Sequence, residues 1–228
     1  MEDSKNPSKS ALIEAAQRLF TAKAYEAVST RELAETAGVN LGAIQYYFGS
    51  KAKLFATALH GMMEDGPIAQ VYSQLEDEFQ SGADAAAALC RFVSTWLQYL
   101  VGQEGPHACR CMFREILSQN SDAELFEVIV AEFVENYSRP LSARLQKVIL
   151  TINPKLSVEE LGWTTHSVIS QCVFYVTHRP FIEHMRAINL SEPEVLRKIG
   201  MHVAGFSLRG LRCEESFIER ALAHGFEA

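Results

Sequence analysis

Between Val28 and Lys51 the chain sets two short apolar helical patterns either side of a glycine, and this stretch limits the fold more than any other. Ser29 is a favourable N-cap, and Glu32 three residues later completes a capping box. Leu33, Ala34 and Ala37 share one face at helical spacing. Gly38 supplies the positive φ that a sharp helix stop needs. Asn40 can cap a second helix running to about Phe48, with Ile44 and Phe48 inward and Gln45, Tyr46 and Tyr47 left for something outside. Two short helices joined by a three- to four-residue turn containing glycine make a helix-turn-helix, whose second helix is built to enter the major groove.

The 228 residues allow one large domain or two small ones, and 48% hydrophobic content supports a sizeable core without disulfide staples. No run approaches the ~18 uninterrupted apolar residues of a membrane span. The start, Met1-Glu2-Asp3-Ser4-Lys5, lacks the basic and apolar regions of a signal peptide. A cytoplasmic protein with no membrane partner is expected. Five cysteines, an odd number without a disulfide framework, agree with a reducing compartment. The formal charge of −7 argues at first against nucleic acid, but its distribution matters more. Residues 1–60 carry seven Lys/Arg and six Asp/Glu, a net of +1, while residues 61–228 carry the acid, a net of −8. Non-specific DNA affinity is thereby weakened, yet a few placed phosphate contacts still fix register.

Taken in order, residues 1–7 read as a polar tail and 8–24 as a first helix carrying Leu12, Ala15, Ala16, Leu19 and Phe20 on one face. After the helix-turn-helix, Ser50 caps a helix from Lys51 to about Asp65. Asp65-Gly66-Pro67 is the clearest break. The division expected is residues 1–60 as a helix-turn-helix domain and 61–228 as a larger helical domain. Helices are expected over 68–79, 83–101, 107–118, then a long one from an Asp122 cap to about 150, kinked or split near Pro140. Further helices are expected over 157–178, with a Ser157/Glu160 capping box, over 191–213, with a Ser191/Glu194 box, and over 214–224. Residues 179–189 read as partly irregular. No strand-like alternation, repeat or low-complexity tract occurs.

The residues Ser29-Thr30-Arg31-Glu32-Leu33-Ala34, Ala37-Gly38-Val39, Tyr46-Tyr47-Phe48 and Ser50-Lys51-x-x-Leu54-Phe55 resemble the TetR family of bacterial transcriptional repressors. Residues 8–60 carry the likeness closely, and 67–228 only in architecture. The tail Met201–Leu211 and the segment around Arg179-Pro180 are similar to the CecR subgroup. The resemblance implies an all-α fold, with an N-terminal three-helix helix-turn-helix domain and a larger helical ligand-binding and dimerisation domain. It also implies a homodimer on a palindromic double-stranded DNA operator, released when a small-molecule effector enters the larger domain. The helix starting at Lys51 is the expected lever, with Gly61 or Gly66-Pro67 as its hinge. No cofactor and no metal are expected.

Within that frame Gln45 can pair with adenine through two hydrogen bonds, and Leu41 and Ala43 can touch thymine methyls. Gly42 lets the backbone come close, next to Asn40. Tyr46 and Tyr47 are core aromatics on the bland reading; by the family's pattern one hydroxyl, Tyr47 before Tyr46, donates to phosphate. Lys51, Thr30 and Arg31 stand at helix N-termini that attract phosphate, although Arg31 can instead pair with Glu35 at i+4. Ligand-pocket candidates are Trp96, Tyr99, Arg110, Phe113, Phe133, Tyr137, His166, Phe174 and His178, with plain core as the alternative for each aromatic. Arg110 and the histidines stand out because a buried charge needs a partner. Small residues on apolar helices around 158–178 and 193–213 mark an expected dimer interface of Val168, Cys172, Ile199, Gly200, Val203, Ala204, Phe206 and Leu211. The same residues can equally face helices of their own chain.

Two other readings remain. His107, Cys109 and Cys111 lie within five residues, which opens a metal- or redox-sensing regulator. On a regular helix residues two apart diverge by about 200°, so both thiols ligate one ion only in an irregular segment. The other is a ligand-binding helical protein without DNA regulation. An enzyme is not expected: Ser50-x-x-Lys53 spells a penicillin-interacting motif, but its Lys-Thr-Gly companion is absent and its place is a helix cap. Glu76-Asp77-Glu78 reads as a solvated helix end.

Overall fold

A computed structural model describes residues 6–64, 68–75, 78–102, 107–118 and 123–226. Among the described residues every regular element is helical. In order they are α1 (Pro7–Ala22), a 3₁₀ turn (Tyr25–Ala27), α2 (Thr30–Ala37), α3 (Gly42–Phe48), α4 (Lys51–Glu64), α5 (Ile68–Ser73), α6 (Gly82–Val101), α7 (His107–Leu117), α8 (Ala123–Phe133), a π-helical turn (Val134–Ser138), α9 (Arg139–Ile152), α10 (Val158–Thr177), α11 (Arg179–Arg186), α12 (Pro193–Gly210) and α13 (Glu215–Gly225). The polar tail 1–5, the Gly66-Pro67 break and hinge, Glu76-Asp77, the loop residues 103–106 and the Asp122 cap lie outside the described residues.

The chain packs as two compact units, Met1–Gly66 with Pro106–Asn136, and Pro67–Gly105 with Tyr137–Ala228. The N-terminal unit thus includes α7 and α8, which pack on α4, with α7 also against α1. Its centre is an aromatic cluster of Phe20, Tyr25 and Phe55, with Phe20 and Phe55 edge to face at 4.6 Å. Leu12, Val28, Leu33, Leu54 and Phe55 are fully enclosed around it. Gly61 sits in the middle of α4, where a Cβ would stand 3.0 Å from Gln17 Nε2 of α1. It therefore permits close helix packing.

The second unit is built on α6, which is buried almost all round and contacts α5, α9, α10, α12 and α13. A helix apolar on every face belongs in a core. Ser81 caps it by accepting the Asp84 amide proton. Gly225 allows α13 to close on α6, since a Cβ there would lie 2.3 Å from Cys90 Cβ.

Several helix ends differ from expectation for local reasons. Pro140 stands at the second position of α9, just after the π turn. Widening the preceding turn relieves the clash of its ring with the earlier carbonyl, so the long helix neither kinks freely nor breaks. The Ser157/Glu160 box forms in both directions, at 2.9 and 3.2 Å. The Ser191/Glu194 box does not: Pro193 fixes the start of α12, Ser191 Oγ accepts from Arg179 at 2.5 Å, and Glu194 pairs with Arg197. Residues 179–186, read as irregular, form α11, with Arg179 bonded to Glu183 one turn on. The first helix past Pro67 is short, ending at Ser73.

Candidate nucleic-acid interface

Ser29 Oγ accepts the Glu32 amide proton at 3.0 Å and starts α2. The reciprocal half of the expected capping box is diverted, because Glu32 turns its carboxylate to Lys23 Nζ at 2.5 Å. Gly38 ends α2 at φ +66°, a conformation that glycine adopts without Cβ strain. The Asn40 side chain then accepts the Gly42 amide proton at 2.9 Å and opens α3. Ile44 and Phe48 of α3 are buried against the module, as their spacing requires.

That burial fixes the opposite face of α3 outward. Leu41, Gly42, Gln45 and Tyr46 are exposed, Tyr46 by 81%. Ala43 and Tyr47 are half-buried, and the two tyrosine rings meet edge to face at 4.9 Å. Thr30, Arg31 and Asn40 are exposed. Arg31 approaches Glu35 only to 4.0 Å with both side chains in solvent, a pairing too weak to hold the guanidinium back from a phosphate.

Lys51 is placed otherwise than its sequence position promised. Its Nζ donates to the carbonyls of Tyr25 and Val28, at 3.1 and 3.0 Å. The exposed cation of the same turn is Lys53, which sequence reasoning passed over; its position two residues inside the Ser50 cap is the signal that could have found it. Beside Tyr47 a surface groove of about 420 Å³ runs between α1, α4 and α8, with Lys9, Lys53, His60 and Glu132 on its walls.

The expected ligand candidates do not form one described cluster. Trp96 and Tyr99 are buried and stacked at 5.5 Å, continuing a ladder from Phe92 along α6. Trp96 Nε1 is buried with no acceptor among the described residues. Phe174 and His178 stack at 4.4 Å but are exposed, as is His166. Arg110 is no buried charge: it is exposed, its guanidinium 3.0 Å from His107 Nδ1. Phe113, Phe133 and Tyr137 are half-buried, the first two in the N-terminal unit.

The small-residue stripe of α12 faces inward. A Cβ on Gly200 would meet Phe226 at 2.9 Å, and Gly205 lies against Leu222 and Ile218 of α13. Val168, Cys172, Gly200, Val203, Ala204 and Leu211 are buried in their own chain, and Ile199 is half-buried. Of the expected interface only Phe206 is exposed, at 60%. Trp163 and Phe174 of α10 join it as exposed large apolar residues. The segment of Cys109 and Cys111 is regular helix, and both are buried. Cys111 Sγ donates to the Phe20 carbonyl at 3.3 Å, and burial pushes its thiol up. This geometry does not give two thiols to one ion.

The family model "Bacterial regulatory proteins, tetR family" matches residues 12–58, which hold α2 and α3. A second model, "HTH-type transcriptional dual regulator CecR, C-terminal domain", matches residues 85–211, more than half of the chain. The chain belongs to the TetR family. No curated protein sequence matches it significantly. The FadR fatty acid degradation regulator of Bacillus halodurans is similar over 89% of this chain and 97% of its own, at 16% identity and TM-score 0.60. FadR of Bacillus subtilis, solved in complex with stearoyl-CoA, covers 86% and 97% at 18% identity and TM-score 0.59. NalD of Pseudomonas aeruginosa, the secondary repressor of the MexAB-OprM efflux pump, covers 92% and 98% at 19% identity and TM-score 0.58. These likenesses establish the fold of this TetR-family regulator: a helix-turn-helix DNA-binding domain and a larger helical domain. Its family and neighbours are transcriptional regulators rather than enzymes. Among the described residues no helix is long and apolar enough to cross a membrane.

Proposed function

We propose that this TetR-family regulator acts as a homodimeric repressor whose α3 reads a palindromic operator and which a small apolar-bodied molecule releases. The observation that carries the reading is the exposed row Leu41, Gln45 and Tyr46, held out by the buried Ile44 and Phe48. Gln45 takes the base-reading role, with Leu41 and Ala43 on thymine methyls and Asn40 and Gly42 at the close approach. Thr30, Arg31, Tyr47 and Lys53 take phosphates. One such helix reads few base pairs, and a two-fold dimer sets a second about 34 Å away, one turn of the duplex.

The dimer is supported by the apolar face of Trp163, Phe174 and Phe206, a patch unusual on a monomer. Between α10 and α12 that face carries a groove of about 260 Å³. The ligand is supported by the aromatic ladder on α6 and the buried Trp96 indole N–H, a donor that an acceptor on a ligand would satisfy. Because one neighbour was solved with stearoyl-CoA, an acyl-CoA is the first probe to try. Ligand releases DNA only by as much as it favours the conformation that fits the operator poorly. The test is recovery of bound fragments from sheared genomic DNA by the purified chain, followed by titration of the fragment–protein complex with stearoyl-CoA. No fragment recovered removes the repressor reading; no release removes the acyl-CoA.

A further inference from the structure

The connection between α1 and α2 has one 3₁₀ turn of its own, so its backbone groups need partners elsewhere. Helix α7 supplies them. Arg114 Nη2 donates to the Phe20 and Lys23 carbonyls at 2.8 and 2.7 Å, at the C-terminal end of α1. Its Nε donates to Glu115 Oε1 at 2.8 Å, and the same carboxylate oxygen accepts the Tyr25 amide proton at 3.2 Å. Glu115 is only 4% exposed.

We propose that Arg114 and Glu115 are positioning residues for DNA reading: a latch that sets where α2 and α3 stand. This rests on the DNA-binding reading above. A buried carboxylate is retained only with good partners, and apolar packing of the same volume would stabilise as well. An ion pair adds direction. The planar guanidinium makes its three bonds in one rigid geometry, and its charge suits the negative end of α1. Tyr25 is thereby gripped on both sides, its amide by Glu115 and its carbonyl by Lys51 of α4. Val28 is fully buried and α2 begins two residues on, so displacement of the connection carries α2 and, through the Gly38 turn, α3. Helix α7 is also the first helix after α6 in the chain, so a ligand-driven shift at the end of α6 reaches the latch along the backbone.

The test uses the full chain and a genomic fragment that the wild type retains. Glu115→Gln keeps an acceptor for the Tyr25 amide but removes the charge; Arg114→Lys keeps the charge but loses the fork. Each is expected to raise the Kd for the fragment about tenfold, the loss of one charge-assisted bond. Amide hydrogen exchange over residues 23–48 should quicken while exchange in α12 stays at its wild-type rate. Unchanged Kd and exchange in both variants overturn the proposal. So does a uniform quickening through α1, α4 and α12, which marks general destabilisation. Should Glu115→Gln fail to fold, Arg114→Lys decides alone. A wild type that retains no DNA ends the repressor reading, and exchange over 23–48 still tests the latch.

Discussion

Lys51 holds its ammonium 3.7 Å from the centroid of the Tyr25 ring while donating to the Tyr25 and Val28 carbonyls. A cation so engaged fastens the turn before α2. Lys51→Met is expected to destabilise the chain by about 1–3 kcal/mol, since it leaves buried acceptors bare. It should leave the salt dependence of DNA binding unchanged. Arg31→Ala and Lys53→Ala should each make the slope of log K against log salt shallower by about 0.9, one phosphate contact. Fluorescence anisotropy over a salt series reads all three; a shallower slope in Lys51→Met would return that residue to the phosphate backbone.

Gln45→Ala is expected to lose about 1–3 kcal/mol of binding to the preferred fragment and to relax preference at one position of each half-site. Ile44→Ala differs in kind. It empties a buried position and should lower stability by about 2–4 kcal/mol before any base is read. Competition binding against single-base variants separates the two, and equal loss on every sequence in Gln45→Ala would place it off the bases.

Trp163→Glu with Phe206→Glu puts charge on the exposed apolar face of α10 and α12. The variant should sediment as a 25.4 kDa monomer and keep its helicity, because both side chains are largely in solvent. A dimer that survives both changes removes this face as the interface.

The thiols divide by burial. Burial pushes Cys90 up to about 12 and Cys172 higher still. Both should resist iodoacetamide at pH 8 in the native chain, and Cys213, only half-buried, should react first. Peptide mapping after brief labelling checks the order. The same shift has a sign for stability. The folded Cys90 keeps its proton where the unfolded thiol loses it near 9, so stability is full below that pH and falls as pH rises towards 12. Cys90→Ala should show a shallower fall in urea midpoint over that window than the wild type.

The reading module was legible because its signals are local. Ser29, Gly38, Asn40 and Ser50 each act on residues two or three positions away, and Ile44 and Phe48 declare the inner face by spacing alone. The latch was hidden for the opposite reason: Arg114 and Glu115 meet partners some ninety residues earlier, and a charged pair in a helix reads as surface. The stripe of Gly200 and Ala204 was visible but its direction was not. Small residues announce close packing without naming the neighbour, and here Phe226 and Leu97 of the same chain fill the space. At Pro140 the disturbance was legible and its form, a π turn, was not, since sequence marks the missing donor but not how the backbone absorbs it.

The N-terminal unit is made of two stretches, Met1–Gly66 and Pro106–Asn136. On the ribosome the first stretch emerges well ahead of the second, by a delay on the order of ten seconds at ordinary synthesis rates. Through that interval α1 and the turn after it have no α7 to bond, and the nascent module exposes the faces that α7 and α8 later cover. A truncated gene ending after α4 would make that interval permanent. The reading head is among the first parts synthesised and is finished only after α6 has been made.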